Sequence, residues 1–344
     1  MYIKRNISIN ILMRYAWRII LFSSLWTIAV FSAHYYVGWH FIDIPFQPIT
    51  VTGIAVAFLI GFKNNQSYDR FWEGRKIWGS IVNYSRTWAN QVLNVVTADN
   101  GQDLSEPELK HHHKILIHRH IAWLHALRLQ LRRPTSFSLK ENKLVEELLS
   151  RHNDNEKICE VIKPYLSKAE NDDLKRRKNI ATHIVKLQGN HLRKLKEEHQ
   201  LMDGFDFMMM MKCLEEFYNF QGKCERIKNT PFPRQYAFFS RVFTNIFVML
   251  LPLGLLNVFE NEIVKNQFPL PEWYIYLMIP LSVLISWIFL TWEVVGGNSE
   301  DPFENKPNDV PMTALTRTIE IDLRDMLDES NLPKKTQPKD NILY

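Results

Sequence analysis

The chain has 344 residues, with 42 Lys and Arg against 37 Asp and Glu, and a formal net charge of +5. That excess is too mild for a nucleic-acid signal, and no RNA- or DNA-binding motif accompanies it. The mean hydropathy of −0.21 conceals a split: apolar residues concentrate near the N-terminus and between Tyr236 and Val295, whereas the middle, Asp99 to Arg234, is highly charged.

The first residues do not read as a signal peptide. Arg14 and Arg18 break the early apolar run, and no small-x-small cleavage site follows it. Ile19–Val37 is a 19-residue stretch without formal charge, the length of a spanning helix, flanked by Trp17, Tyr35, Tyr36 and Trp39 as interfacial aromatics. A short loop, Gly38–Pro45, leads to a second uncharged run, Phe46–Phe62, of 17 residues. The helical pattern does not stop there. Gly53–Trp88 has no Pro, begins as membrane-grade sequence and ends as a polar, Trp- and Arg-rich helix that continues to Val96. Ile54, Phe58 and Phe62 recur every four residues and share one face. Spacing alone favours ordinary burial for such a stripe. Gly53, Ala55, Ala57 and Gly61 are small and permit close helix contacts beside it.

Asn64, Asn65 and Ser67 lie where this helix leaves the membrane, as vestibule or solvated exit. Arg70, Glu73, Arg75 and Arg86 are expected in ion pairs or stacked on Trp, in structural roles. DNGQDLSEPE breaks the pattern, and Ser105 is placed to cap a helix over Leu109–Arg133, with Glu106 and Glu108 in its first turn. Helix formers dominate Ser138–Tyr218, with Pro164, Gly189 and Gly204 as candidate breaks. RIKNTPFPRQY, residues 226–236, is an extended connection back to the membrane. Tyr236–Phe259 and Trp273–Val295 are the third and fourth candidate spans. The polar tail after them has a turn-rich piece, Asp301–Pro311, and a helical stretch, Met312–Leu327.

These divisions give N-terminal membrane helices over 1–62, a cytosolic helical domain over 63–235, C-terminal membrane helices over 236–295 and a tail over 296–344. Of the 42 Lys and Arg, only Lys265 falls in the two loops placed outside. The positive-inside rule then sets both termini and the helical middle in the cytoplasm.

Cys159, Cys213 and Cys224 form no CxxC or zinc spacing and read as free thiols. His111, His112, His113, His118, His120 and His125 share no face with a nearby acid and read as exposed helix residues. Four consecutive methionines, 208–211, cover all sides of a helix and read as packing. No GxSxG, HExxH, Walker-type or GxGxxG motif is present, so no catalytic set, cofactor or enzyme activity is expected.

Six pieces resemble the bacterial branch of the bestrophin family, in the family's order: NNQSYDRFWEGRKIWGSIVNYSR (64–86), HRHIAWLHALRLQLR (118–132), CERIKNTPFPRQY (224–236), LLPLGL (250–255), DPFENKPNDVPM (301–312) and TRTIEIDLRDML (316–327). The resemblance implies an all-α, homopentameric ion channel of the inner membrane with one central pore, partnered by lipid and monovalent ions. It implies a narrow neck formed by Ile54, Phe58 and Phe62, and a second, cytosolic constriction at Phe205, with Met202 as a neighbouring candidate. Eukaryotic members conduct chloride and other anions; bacterial members can favour cations. Eukaryotic members also bind calcium in an acidic cluster after the fourth span. Here Lys306, Pro307 and Asn308 interrupt it and leave Asp301 and Asp309 as isolated carboxylates, so no metal and no calcium activation are expected. Without the resemblance, a membrane-anchored helical scaffold or sensor of a cytosolic partner is the alternative reading.

Overall fold

A computed structural model describes residues 1–6, 9–98, 104–133, 154–265 and 272–344. The described residues are built from α-helices: α1 (Ile9–Tyr35), α2 (Phe46–Val95), α3 (Glu106–Leu131), α4 (Asp154–Ile162), α5 (Lys168–Leu174), α6 (Ile180–Glu197), α7 (Gly204–Asn229), α8 (Arg234–Lys265), α9 (Met278–Asn298) and α10 (Met312–Asp325). Among them, β structure is limited to isolated bridges at Tyr2–Ile342 and Lys339–Ile342. Residues 99–103, 134–153 and 266–271 lie outside the described residues. They include the predicted break after α2, the start of the predicted helical stretch at Ser138 and part of the loop after α8.

Contacts divide the chain into two units. One comprises Lys4–Arg70 and Pro231–Glu300; the other comprises Met1–Ile3, Phe71–Thr230 and Asp301–Tyr344. The 50-residue α2 contributes to both. Its single proline, Pro48, sits in the first turn, where a missing N–H breaks no helical bond.

The first unit packs α1, the start of α2, α8 and α9 around Val30, Phe31, Ile49, Val56, Ile60, Phe247, Leu251, Leu256 and Met278. Close approach depends on small residues. A Cβ on Gly254 of α8 would lie 2.3 Å from Ile49 Cδ1, and one on Gly53 of α2 would lie 2.8 Å from Phe247 Cε2. Gly61 has nothing within 4 Å, so it plays no such part within the protomer. Four helices among the described residues are long and apolar enough to cross a membrane: Ala16–Tyr35, Phe46–Val95, Arg234–Ile263 and Trp273–Asn298. The first begins within a longer helix than the apolar run suggests, because α1 continues through Arg14 and Arg18 as regular backbone. The last opens as a 3-10 turn, Glu272–Leu277, before α9.

The second unit is a helical core. Trp78, Ile81, Trp88 and Val92 of α2 pack with Leu116, Ile121, Trp123 and Leu127 of α3, Ile184 and Leu192 of α6, Phe217 and Cys224 of α7, and Phe303, Ile319 and Leu323 of the C-terminal region. Ser105 and Glu108 form a reciprocal capping box that starts α3. Asp203 caps α7 by accepting from Asp206 N at 2.7 Å. Gly189 does not break α6, whereas Gly204 opens α7 and Pro164 falls in a 3-10 turn.

Two readings of this unit require correction. The α3 histidines are not exposed helix residues as a set, because helices surround α3. His113, His120 and His125 are buried, and His118 pairs with Glu329 at 2.8 Å. His120 Nε2 donates to Ser85 Oγ at 2.9 Å, which in turn donates to Ile81 O at 2.6 Å. Of the four methionines, Met210 alone is buried; Met208 projects outward.

Candidate functional site

Along the first turns of α2, Ile49, Gly53, Val56, Ile60, Lys63 and Ser67 are buried. Their three- and four-residue spacing is one helix face, packed into the first unit. The opposite face carries Val51, Ile54, Phe58 and Phe62, exposed by 68, 67, 74 and 45 %. A stripe of large apolar side chains is therefore left uncovered by the protomer's own helices. Val51 extends it one turn beyond the three residues marked by the four-residue repeat, and the one charged residue before Asn65, Lys63, lies on the opposite, buried face.

The buried face has its own polar anchor. Lys63 Nζ donates to Glu293 Oε1 of α9 at 2.5 Å, and Ser240 Oγ of α8 donates to Glu293 Oε2 at 2.8 Å. The two charged side chains are 3 and 6 % exposed. Three helices are thus tied at the residue after Phe62, on the side away from the apolar stripe. Lys63 follows the second apolar run and Glu293 falls near the end of the fourth. With 230 positions between them, nothing in the spacing pairs them.

The predicted vestibule residues separate. Asn65 is exposed, Asn64 is half-buried, and Ser67 is buried at 1 % exposure. Ser67 is corrected from vestibule to packing residue, because its helical phase matches Ile60 and Lys63. Asn64 sets its carboxamide against α9: a Cβ on Gly296 would lie 2.0 Å from Asn64 Oδ1. The predicted cytosolic-constriction residues also separate. Phe205, in the first turn of α7, is 87 % exposed. Met202 is 3 % exposed within the core of the second unit and cannot line an opening.

The polar half of α2 is a frame, as its residue types suggest. Arg75 lies over the Trp72 ring at 5.3 Å, Arg226 pairs with Glu73 at 2.5 Å, and Arg86 pairs with Asp322 at 2.6 Å. Arg70 Nε donates to Glu300 O at 2.8 Å. Gly74 accommodates Phe303, whose ring would lie 3.1 Å from a Cβ there.

The acidic turn after α9 is served by amines. Lys306 Nζ pairs with Glu304 at 2.7 Å. Asp309 is buried and accepts from Lys306 N at 2.9 Å; burial pushes its carboxyl up to about 6. Lys228 adds a second cation beside Asp301 and Glu304. Among the described residues, no group of three or more His, Cys, Asp or Glu side chains is arranged to hold a metal.

Four membrane-length apolar helices joined to a large helical unit define an all-α membrane protein. Residues 3–325 match the bacterial/fungal bestrophin protein family, and the chain belongs to that family. The structure is similar to that of a bacterial bestrophin homologue from Klebsiella pneumoniae, with a TM-score of 0.73 at 24 % identity over 91 % of this chain and 98 % of that one. The sequence is 28 % identical over 291 residues to the voltage-dependent anion channel-forming protein YneE of Salmonella typhi, covering 85 % of this chain and 80 % of that protein. It is 27 % identical over 302 residues to a voltage-dependent anion channel-forming protein of Ralstonia nicotianae, covering 88 and 84 %.

Proposed function

We propose that this protein is an anion channel of the inner membrane, a homopentamer in which five α2 helices surround the pore. The observation that carries this reading is the uncovered stripe on α2. Its side chains have the wrong chemistry for water, and the protomer's own helices pack only the opposite face. Ile54, Phe58 and Phe62 from five copies form three stacked apolar rings, a constriction that gates by dewetting and does not bind ions strongly. Phe205 forms a second ring on the cytosolic side, and Asn65 meets the ion as it regains water. The four apolar helices span the bilayer, with both termini in the cytoplasm, in keeping with the charge distribution of the loops. The relatives' designation as anion channel-forming proteins supports the sign of the ion, which an uncharged neck does not fix.

The test is halide flux into liposomes containing Phe58→Ala or Phe62→Ala. Truncating a ring side chain widens the neck and is expected to raise flux above wild type at equal protein density. Flux indistinguishable from wild type in both variants would remove α2 from the pore.

A further inference from the structure

Arg128 and Arg132 stand one turn apart at the end of α3, and both address a single hydroxyl. Arg128 Nη1 donates to Thr313 Oγ1 at 3.1 Å, and Arg132 Nη2 donates to the same oxygen at 2.7 Å. A guanidinium fork is matched to a carboxylate or phosphate, and two forks on one neutral oxygen leave most of that capacity unused. Arg128 Nε and Arg132 Nε are buried with no hydrogen-bond partner among the described residues. Among the described residues, Arg128 also donates from Nη2 to His125 Nδ1 at 3.2 Å, again a neutral group.

The surrounding acids are committed elsewhere. Glu320, which faces Arg128 from α10, pairs with Arg317 at 2.8 Å and Arg324 at 3.5 Å and accepts from the Tyr165 hydroxyl at 2.6 Å. Asp309, which acts on Arg132, is held by the Lys306 backbone. Burial, with Arg132 and Arg317 alongside, lowers Arg128 to about 10 against the opposing pull of Glu320, so it remains charged at neutral pH. Thr313 is the second residue of α10. The positive end of that helix therefore adds to the same spot. Arg128 is 9 % exposed, whereas Arg132 and Thr313 are half-buried and leave one side open.

We propose that Arg128, Arg132 and Thr313 form a binding site for a tetrahedral oxyanion, either inorganic phosphate or the phosphate group of a larger molecule. The anion takes over as acceptor for both guanidiniums, and the Thr313 hydroxyl turns to donate to it. The site belongs to the second unit and does not rest on the channel reading.

The test is thermal unfolding of the full chain in detergent, titrated at pH 7.5 with inorganic phosphate against chloride at constant ionic strength. A saturable rise in Tm with phosphate alone is expected. Arg132→Gln removes charged hydrogen bonds from the open side and is expected to weaken the apparent phosphate affinity about tenfold or more. Because Arg128 is buried and its loss threatens folding, Thr313→Glu serves as the second variant. It supplies a carboxylate in place, so it is expected to raise Tm without phosphate and to abolish the phosphate response. A parallel titration with ADP distinguishes sources: tighter binding than phosphate assigns a nucleoside phosphate, and equal or weaker binding assigns the free ion. A wild-type response to phosphate no larger than to chloride would overturn the site. So would an Arg132→Gln protein that responds like wild type, or a Thr313→Glu protein that keeps the full response.

Discussion

Neutralising one member of the Lys63–Glu293 pair is the sharpest stability experiment that the structure offers. Both side chains are almost fully enclosed, and the carboxylate has two donors, Lys63 Nζ at 2.5 Å and Ser240 Oγ at 2.8 Å. Lys63→Met leaves Glu293 buried with the serine alone; Glu293→Gln keeps the packing but strands the ammonium. Breaking a buried pair from one side costs about 3–5 kcal/mol, because the surviving charge is left in a medium that cannot solvate it. Replacing both with apolar residues removes the stranded charge, so Lys63→Met/Glu293→Leu is expected to lie near wild type or above it. The assay is denaturant unfolding of the detergent-solubilised protein followed by tryptophan fluorescence, with the three variants read as a double-mutant cycle. If each single change costs no more than about 1 kcal/mol, the range of an exposed pair, the anchor is wrongly placed and solvent reaches it.

Gly254→Ala sets a methyl group against Ile49 Cδ1, 2.3 Å away, and Phe46 Cδ2, 3.1 Å away. Overpacking of about 1–3 kcal/mol is expected, offset by up to about 1 kcal/mol of helix propensity, and the same unfolding assay reads the balance. Stability is also expected to fall in mild acid. His120 is pushed down to about 3 and His191 likewise to about 3, both mainly by burial. Protons therefore bind the unfolded chain first. Their contribution is complete above pH 6.5 and is lost progressively from there towards pH 3, at a slope of about 1.4 kcal/mol per pH unit for each histidine. Unfolding midpoints at pH 7.5, 6.5 and 5.5 measure this, and His120→Asn should flatten the slope. Micromolar calcium is expected to leave flux unchanged, because amines of Lys228 and Lys306 serve the carboxylates of the turn; a strong rise in flux on adding calcium would contradict that.

The parts of the fold that depend on local periodicity are legible in the residues. The apolar runs, the continuity of α2, the Ser105 cap and the Ile54-Phe58-Phe62 face follow from spacing and from where prolines fall. What escaped depends on which distant surfaces meet. Lys63 gave no sign of its partner, because Glu293 lies on a different helix. Ser67 reads as polar lining until the phase of Ile60 and Lys63 turns it inward. Met202 and Phe205 are three positions apart in one short stretch, yet one is core and the other projects outward; the cap at Asp203 decides between them. The α3 histidines show the same limit. Their composition reads as surface, and His111 is exposed, but the packed second unit encloses His113, His120 and His125. Arg128 and Arg132 have an obvious i, i+4 spacing, but their shared acceptor, Thr313, is on α10.

The most direct measurement of the proposed activity is the reversal potential of the purified protein in a planar bilayer under a KCl gradient. An anion pore lined by α2 shifts the reversal towards the chloride equilibrium potential, and Phe58→Ala raises the current under the same gradient. A reversal at the potassium equilibrium potential would contradict the anion assignment, and a bilayer that stays silent with folded protein would contradict the channel itself.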